Sequence, residues 1–244
     1  MCVQAGGQVH AVLGSPRAPA YTDRMGHWTT LDTPHGRIAA WQADPAGAPR
    51  GALVVVQEIF GVNAHIRSVA EGFALEGYAV LAPACFDVVE PGVELAYDAD
   101  GVERGRALKA AVGLERANDI THAAANALAA SHHRVGTVGY CWGGTVALLA
   151  ALRIGLPSVS YYGAGNLPFL DEPPRAPVMF HFGEQDASIP PDMVQAHRDA
   201  LPGMEVFTYP AGHGFNCDLR ADYEPSSARL ARERTLDFFT RNLA

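Results

Sequence analysis

Short apolar runs alternate along this chain with longer stretches whose apolar residues recur at helical spacing. Residues 37–42 and 53–56 read as strands, the second a β-branched run of the kind buried on both faces of a parallel sheet. The spacing then predicts a helix over 69–75, a strand over 78–82 ended by Pro83, and a long alanine-rich helix over 103–130. Strand 134–140, helix 145–154 and strands 159–162 and 178–182 follow, then helix 191–200, strand 205–209 and a closing amphipathic helix over 226–241. Repeated β-α-β alternation predicts an α/β protein with a mostly parallel central sheet and helices on both faces. Residues 1–26 lack periodicity and the basic start and apolar stretch of a signal peptide, so they read as a disordered arm or as an overlong start upstream of Met25. Residues 27–244 then form a single domain.

Composition narrows the function classes. At 244 residues the chain is below the length, roughly 250 to 300 residues, at which cores usually divide. A net charge of -8 argues against a nucleic-acid partner. The best apolar run, 146–152, stops at Arg153, far short of the roughly 18 residues that span a bilayer, so no membrane partner is expected. Four cysteines, at positions 2, 85, 141 and 217, are too widely spaced for a disulfide framework or a zinc ribbon, which points to a reducing cytoplasm and to no structural metal. Lys109, the one lysine, reads as codon bias and carries no function.

In such sheets ligands gather at the carboxyl ends of the strands. After strand 134–140 comes Gly139-Tyr140-Cys141-Trp142-Gly143-Gly144 and then an apolar helix, a nucleophile elbow with cysteine where serine usually stands. The turn is sharp, so small residues are needed two before and two after the nucleophile, and the positive end of the helix favours a thiolate at Cys141. A base and an orienting acid should follow in the order acid, then histidine. Asp186 lies past strand 178–182, with Glu184 and Asp192 as competitors, and His213 lies past strand 205–209 between Gly212 and Gly214, which let an imidazole loop approach closely. Of the other histidines, His132 and His133 read as solvent-facing and His181 as a satisfied core residue. After strand 53–56, the loop 57–61 should supply one oxyanion N–H and Trp142 the other. Glu58 in that loop is odd, because a carboxylate repels a developing oxyanion unless it does other work. The bland alternatives are an inert buried cysteine in a Gly-rich turn, a surface histidine, and a Glu58 bonded to backbone.

Gln57-Glu58-Ile59-Phe60-Gly61-Val62-Asn63, the cysteine elbow, Tyr161-Tyr162-Gly163, Gly183-Glu184-Gln185-Asp186 with Pro190, Gly212-His213-Gly214-Phe215 and 233–239 together resemble the dienelactone hydrolase family (carboxymethylenebutenolidases) of the α/β-hydrolase fold, from about residue 28 onward. The resemblance implies a Cys141, Asp186, His213 triad that hydrolyses esters or lactones through an acyl-thioenzyme without metal or cofactor. It implies Ile59 and Trp142 as oxyanion donors, Phe60 as a substrate contact, and a Glu58 that touches the resting thiol and helps deprotonate it when substrate binds. Two arginines that grip a substrate carboxylate in the family fall here at Val88 and Cys217, leaving Arg220 or Arg104 as the available clamp. The expected partner is a small-molecule ester or lactone, and the expected state a monomer or small homo-oligomer. Rival readings are a ligand sensor on the same scaffold and a redox thiol protein pairing Cys141 with Cys85 or Cys217.

Overall fold

The computed structural model describes Met1 and residues 26–131 and 134–243. Among these, strands β1 (Gly26–Thr33), β2 (Gly36–Ala43), β3 (Ala52–Val56), β4 (Ala79–Pro83), β5 (Val135–Tyr140), β6 (Ser158–Tyr161), β7 (Val178–Gly183) and β8 (Glu205–Tyr209) form one sheet in the order β1-β2-β4-β3-β5-β6-β7-β8. β2 runs antiparallel to both β1 and β4, and every other pairing is parallel. This is the mostly parallel α/β sheet expected from the alternation of elements, in the α/β-hydrolase arrangement that the resemblance implies. The helices are α1 (Ala64–Leu75), α2 (Ala99–Ala129), α3 (Trp142–Leu149), α4 (Pro191–Ala200) and α5 (Pro225–Asn242).

The central strand shows why both faces are covered. All five residues of β3 are buried, and they divide alternately between two cores. Ala52, Val54 and Val56 pack with Leu108, Val112 and Ile120 of α2. Leu53 and Val55 belong to the opposite core, with Ile66 and Phe73 of α1 and Phe238 and Phe239 of α5. Each such Val or Leu is worth about 1.5 to 3 kcal/mol of transfer free energy, so the strand is held from both sides.

Several boundaries differ from the sequence expectation, for identifiable reasons. β1 was not anticipated: its sequence, Gly-His-Trp-Thr-Thr-Leu-Asp-Thr, is an edge strand paired on one side, with Trp28 45% exposed, so it lacks the apolar signature of a central strand. Gly26, assigned to the arm, opens β1; residues 2–25, and His132 and His133, lie outside the described residues. α1 starts at Ala64 because the Asn63 side chain accepts a hydrogen bond from the Ile66 amide at 3.2 Å, capping the helix. The expected continuous helix over 103–130 starts earlier, at Ala99, and is broken at Gly113, whose φ of 74° only glycine adopts cheaply. α3 begins three residues before the expected position and runs into a π-helical turn over Ala150–Ile154, closed by Gly155 in the left-handed region.

His181 is the core histidine the sequence suggested. It is fully buried in β7, with Nδ1 2.7 Å from the Tyr209 hydroxyl and Nε2 3.1 Å from Thr235 Oγ1. Burial, assisted by the charge of Arg234, pushes its pKa down to about 3. Between that value and the ordinary one near 6.5 the unfolded chain binds a proton that the folded protein refuses. The stability from this site is therefore complete above pH 6.5 and falls by about 1.4 kcal/mol per pH unit below it. Urea unfolding at a series of pH values should show this slope in the wild type and a shallower one in His181→Gln; identical slopes would show that His181 does not titrate on unfolding.

Candidate active site

Cys141 occupies the turn between β5 and α3 with φ 54° and ψ -116°, a conformation that costs a non-glycine residue energy and that its surroundings enforce. A Cβ on Gly139 would lie 1.8 Å from the Gly143 carbonyl oxygen, and one on Gly143 would lie 2.4 and 2.5 Å from the carbonyl oxygens of Val56 and Gln57. The end of β3, the end of β5 and the first turn of α3 thus meet backbone to backbone. The Cys141 amide donates to the Tyr161 carbonyl at 3.0 Å, which pins the turn to β6.

His213, in the loop after β8, places Nε2 3.3 Å from Cys141 Sγ and Nδ1 2.6 Å from Asp186 Oδ2. The second oxygen of Asp186 accepts the Ser188 amide at 2.8 Å, so this buried carboxylate is fully engaged. Glu184 and Asp192 are exposed, and Asp186 is the carboxylate that pairs with His213. Burial alone pulls the imidazolium down, but the hydrogen bonds to Asp186 and Cys141, with the negative charge on both, raise His213 to about 10. The flanking glycines also have a packing role. A Cβ on Gly212 would meet the Asp222 carboxylate at 3.1 Å, and one on Gly214 would meet the Arg220 guanidinium at 2.8 Å. They make room for Arg220 and Asp222 to fold back over the loop.

Glu58 is fully buried, and its partners differ from those implied by the resemblance. Oε2 accepts the Tyr97 hydroxyl at 2.9 Å, and Oε1 lies 3.7 Å from Arg220 Nη1, too far for a hydrogen bond. A desolvated carboxylate takes the strongest donors in reach, so Glu58 faces Tyr97 and Arg220 while the Cys141 thiol faces His213. Asn63 Nδ2 donates to the same Tyr97 oxygen at 3.1 Å. Burial, followed by the Glu58 charge, pushes the Tyr97 phenol up. Arg220 lies over the rings of Phe60 and Tyr97, at 6.0 and 5.8 Å, and Phe60 is itself buried against Tyr97. Val88 packs in the α2-side core, and Arg104 is committed to Glu90 on the surface. Arg220, three positions beyond Cys217, is the cation that the fold brings to Glu58.

Ile59 and Trp142 are both buried, and among the described residues neither amide is paired with a protein acceptor. Gln57 sets the first of them: its Nε2 donates to the Glu58 carbonyl at 3.2 Å, the oxygen of the same peptide unit that carries the Ile59 N–H. Its Oε1 accepts the Cys85 amide at 3.0 Å, so the Gln57 side chain is itself fixed. On the other side, α2 can lie against the Ile59 carbonyl because residue 105 is glycine; a Cβ there would come within 2.1 Å of that oxygen. A cavity of about 100 Å³ beside Cys141 is lined by Trp142, Thr145, Leu114 and Lys109. Lys109, dismissed on composition, stands on the wall of that cavity.

Sequence reasoning missed Tyr97 and His65, which carry no motif, and gave no role to Gln57 and Asn63, which lie at the ends of the Glu58 motif; contacts between distant segments place all four. It also missed that Glu58, His65 and Cys217, all buried, hold one carboxylate oxygen, one imidazole nitrogen and one thiol sulfur within 4.8 Å of one another, a donor set suited to a metal ion. No helix among the described residues is long and apolar enough to cross a membrane.

Known proteins resemble this chain in sequence and in fold. The pattern of the family described as "Dienelactone hydrolase family" matches residues 38–243. The carboxymethylenebutenolidase of Pseudomonas putida is 36% identical over 217 residues, covering 82% of this chain and 90% of its own. A solved structure of a Klebsiella pneumoniae protein named "Putative Dienelactone Hydrolase" superposes with a TM-score of 0.78 at 30% identity, over 88% of this chain and 98% of that one. The dienelactone hydrolase structure from Anabaena variabilis, at 19% identity, TM-score 0.66, and 90% and 98% coverage, shares the fold.

Proposed function

Because the chain belongs to the dienelactone hydrolase family of hydrolases, we propose that it cleaves carboxylic esters or lactones by nucleophilic acyl transfer from Cys141 to water. The observation that carries this reading is the unbroken relay from Cys141 Sγ to His213 and from His213 to Asp186, at 3.3 and 2.6 Å. Cys141 attacks the carbonyl as thiolate, and the alkoxide leaves with the proton held on His213 Nε2. The resulting acyl-thioenzyme is then hydrolysed by water that His213 deprotonates. The amides of Ile59 and Trp142 hold the oxyanion, each contributing about 2.7 to 4 kcal/mol if it behaves like known oxyanion donors. Glu58 assists removal of the thiol proton when substrate draws Arg220 away from it.

Arg220, carried on Phe60 and Tyr97, is the proposed grip for an anionic substrate in place of the arginines absent at positions 88 and 217. The net charge of -8 and the small cavity beside Cys141 favour a small-molecule partner over nucleic acid. The widely spaced cysteines fit a reducing cytoplasm, with the protein as a monomer or small homo-oligomer. The redox reading loses support, because burial pushes the Cys85 and Cys217 thiols up to about 12 and 11, which disfavours the thiolates that exchange requires.

The test is a panel of lactones and short aryl esters with and without a carboxylate, with intact-mass trapping of an acyl group on Cys141. Turnover of neutral esters and a trapped acyl adduct are expected; a single stoichiometric release without steady state would instead indicate a sensor. In the same panel Arg220→Gln should raise KM for carboxylate-bearing substrates by roughly ten- to a hundredfold, the range of one charge-assisted hydrogen bond. Neutral esters should change little, and an equal loss on both would remove Arg220 from substrate recognition.

A further inference from the structure

We propose that Glu58, His65 and Cys217 form a buried binding site for a thiophilic divalent cation of the zinc class, adjoining the active site through Glu58. The three side chains come from the loop after β3, the first turn of α1 and the loop after His213, and their donor atoms lie within 4.8 Å of one another. In two of these residues a buried polar atom, Glu58 Oε1 and His65 Nε2, has no hydrogen-bond partner among the described residues. Buried polar atoms left unmet are costly, and here two of them belong to one cluster of metal-ligating side chains.

The second partner of His65 indicates the kind of ligand. Its Nδ1 lies 3.2 Å from Asp218 Oδ1, and a carboxylate there accepts an N–H, which puts the ring hydrogen on Nδ1 and leaves the lone pair on the unpartnered Nε2 available to a ligand. A histidine oriented by a carboxylate through its outer nitrogen is the usual support of a zinc ligand. One nitrogen, one sulfur and one oxygen suit zinc with a fourth position open, whereas magnesium and calcium prefer oxygen throughout. His65 and Asp218 also line a surface cleft of about 470 Å³ with Glu76 and Asn216, which gives a cation a route in.

Binding requires two local changes. The Cys217 thiol releases its proton to solvent as the sulfur–metal bond forms, and the Arg220 guanidinium, 3.7 Å from Glu58 Oε1, gives way to the cation. A metal held here engages Glu58 and so halts hydrolysis reversibly. That consequence, unlike the site itself, rests on the role of Glu58 in the proposed function.

Titration of the metal-stripped protein with Co²⁺, a spectroscopic stand-in for Zn²⁺, tests the site directly. A thiolate-to-cobalt charge-transfer absorption should saturate at one equivalent, be displaced by Zn²⁺, persist in Cys141→Ala and vanish in Cys217→Ala. Asp218→Asn, a change at an exposed position, should weaken binding by roughly 10- to 100-fold through loss of the histidine's outer partner. Absence of the absorption, or its dependence on Cys141 rather than Cys217, overturns the proposal. Hydrolysis should fall along the same saturation curve and return with a chelator. The absorption with undiminished hydrolysis would uphold the site and overturn the role of Glu58.

Discussion

Replacing Cys141 by alanine is expected to lower kcat for a small activated ester by on the order of 10⁴- to 10⁶-fold, the range in which single members of a nucleophile–histidine–acid unit fall. The loss is large because in the proposed reaction the sulfur, 3.3 Å from His213 Nε2, forms the acyl bond, and alanine has no nucleophile there. Alanine keeps the Cβ that the turn already accommodates at φ 54°, so the variant should fold with an unfolding midpoint close to that of the wild type. Steady-state kinetics with an aryl ester, together with a thermal melt, separate loss of chemistry from loss of structure. A rate near that of the wild type would remove Cys141 from the reaction.

Asp186→Asn is expected to cost about 10⁴-fold in kcat, by analogy with the same change in serine triads. The hydrogen-bond pattern explains the direction. The Ser188 amide donates to Oδ1 at 2.8 Å and must retain an oxygen acceptor, so the amide NH₂ of an asparagine would turn toward His213 Nδ1. Nδ1 would then have to accept, the ring hydrogen would move to Nε2, and the nitrogen facing Cys141 Sγ could no longer take a proton. Glu184→Gln and Asp192→Asn, both at exposed positions without a bond to His213, should stay within about twofold of wild type. Should either of them match the loss in Asp186→Asn, the acid would be assigned wrongly.

Cys141, Asp186 and His213 could be read before any coordinates because each depends on local chemistry: a strand end, a turn that tolerates only small residues, and an order along the chain. The same holds for β3, whose unbroken β-branched run announces a strand buried on two sides. β1 could not be read this way, since an edge strand satisfies its backbone on one side and needs no apolar face on the other. Nor could the break at Gly113, because an isolated glycine in an alanine-rich stretch is compatible with helix until packing selects its φ.

The class of fold and the proposed reacting residues are legible in the sequence, because both follow from periodicities and turns that span a few residues. What surrounds them depends on how distant segments pack. Tyr97 and Arg220 flank Glu58, Lys109 lines the cavity beside Cys141, and Cys217 meets Glu58 and His65 across more than 150 residues of chain. Such neighbours leave no local trace: a buried carboxylate requires partners for its charge, but which segments supply them is settled by how the sheet and its loops close.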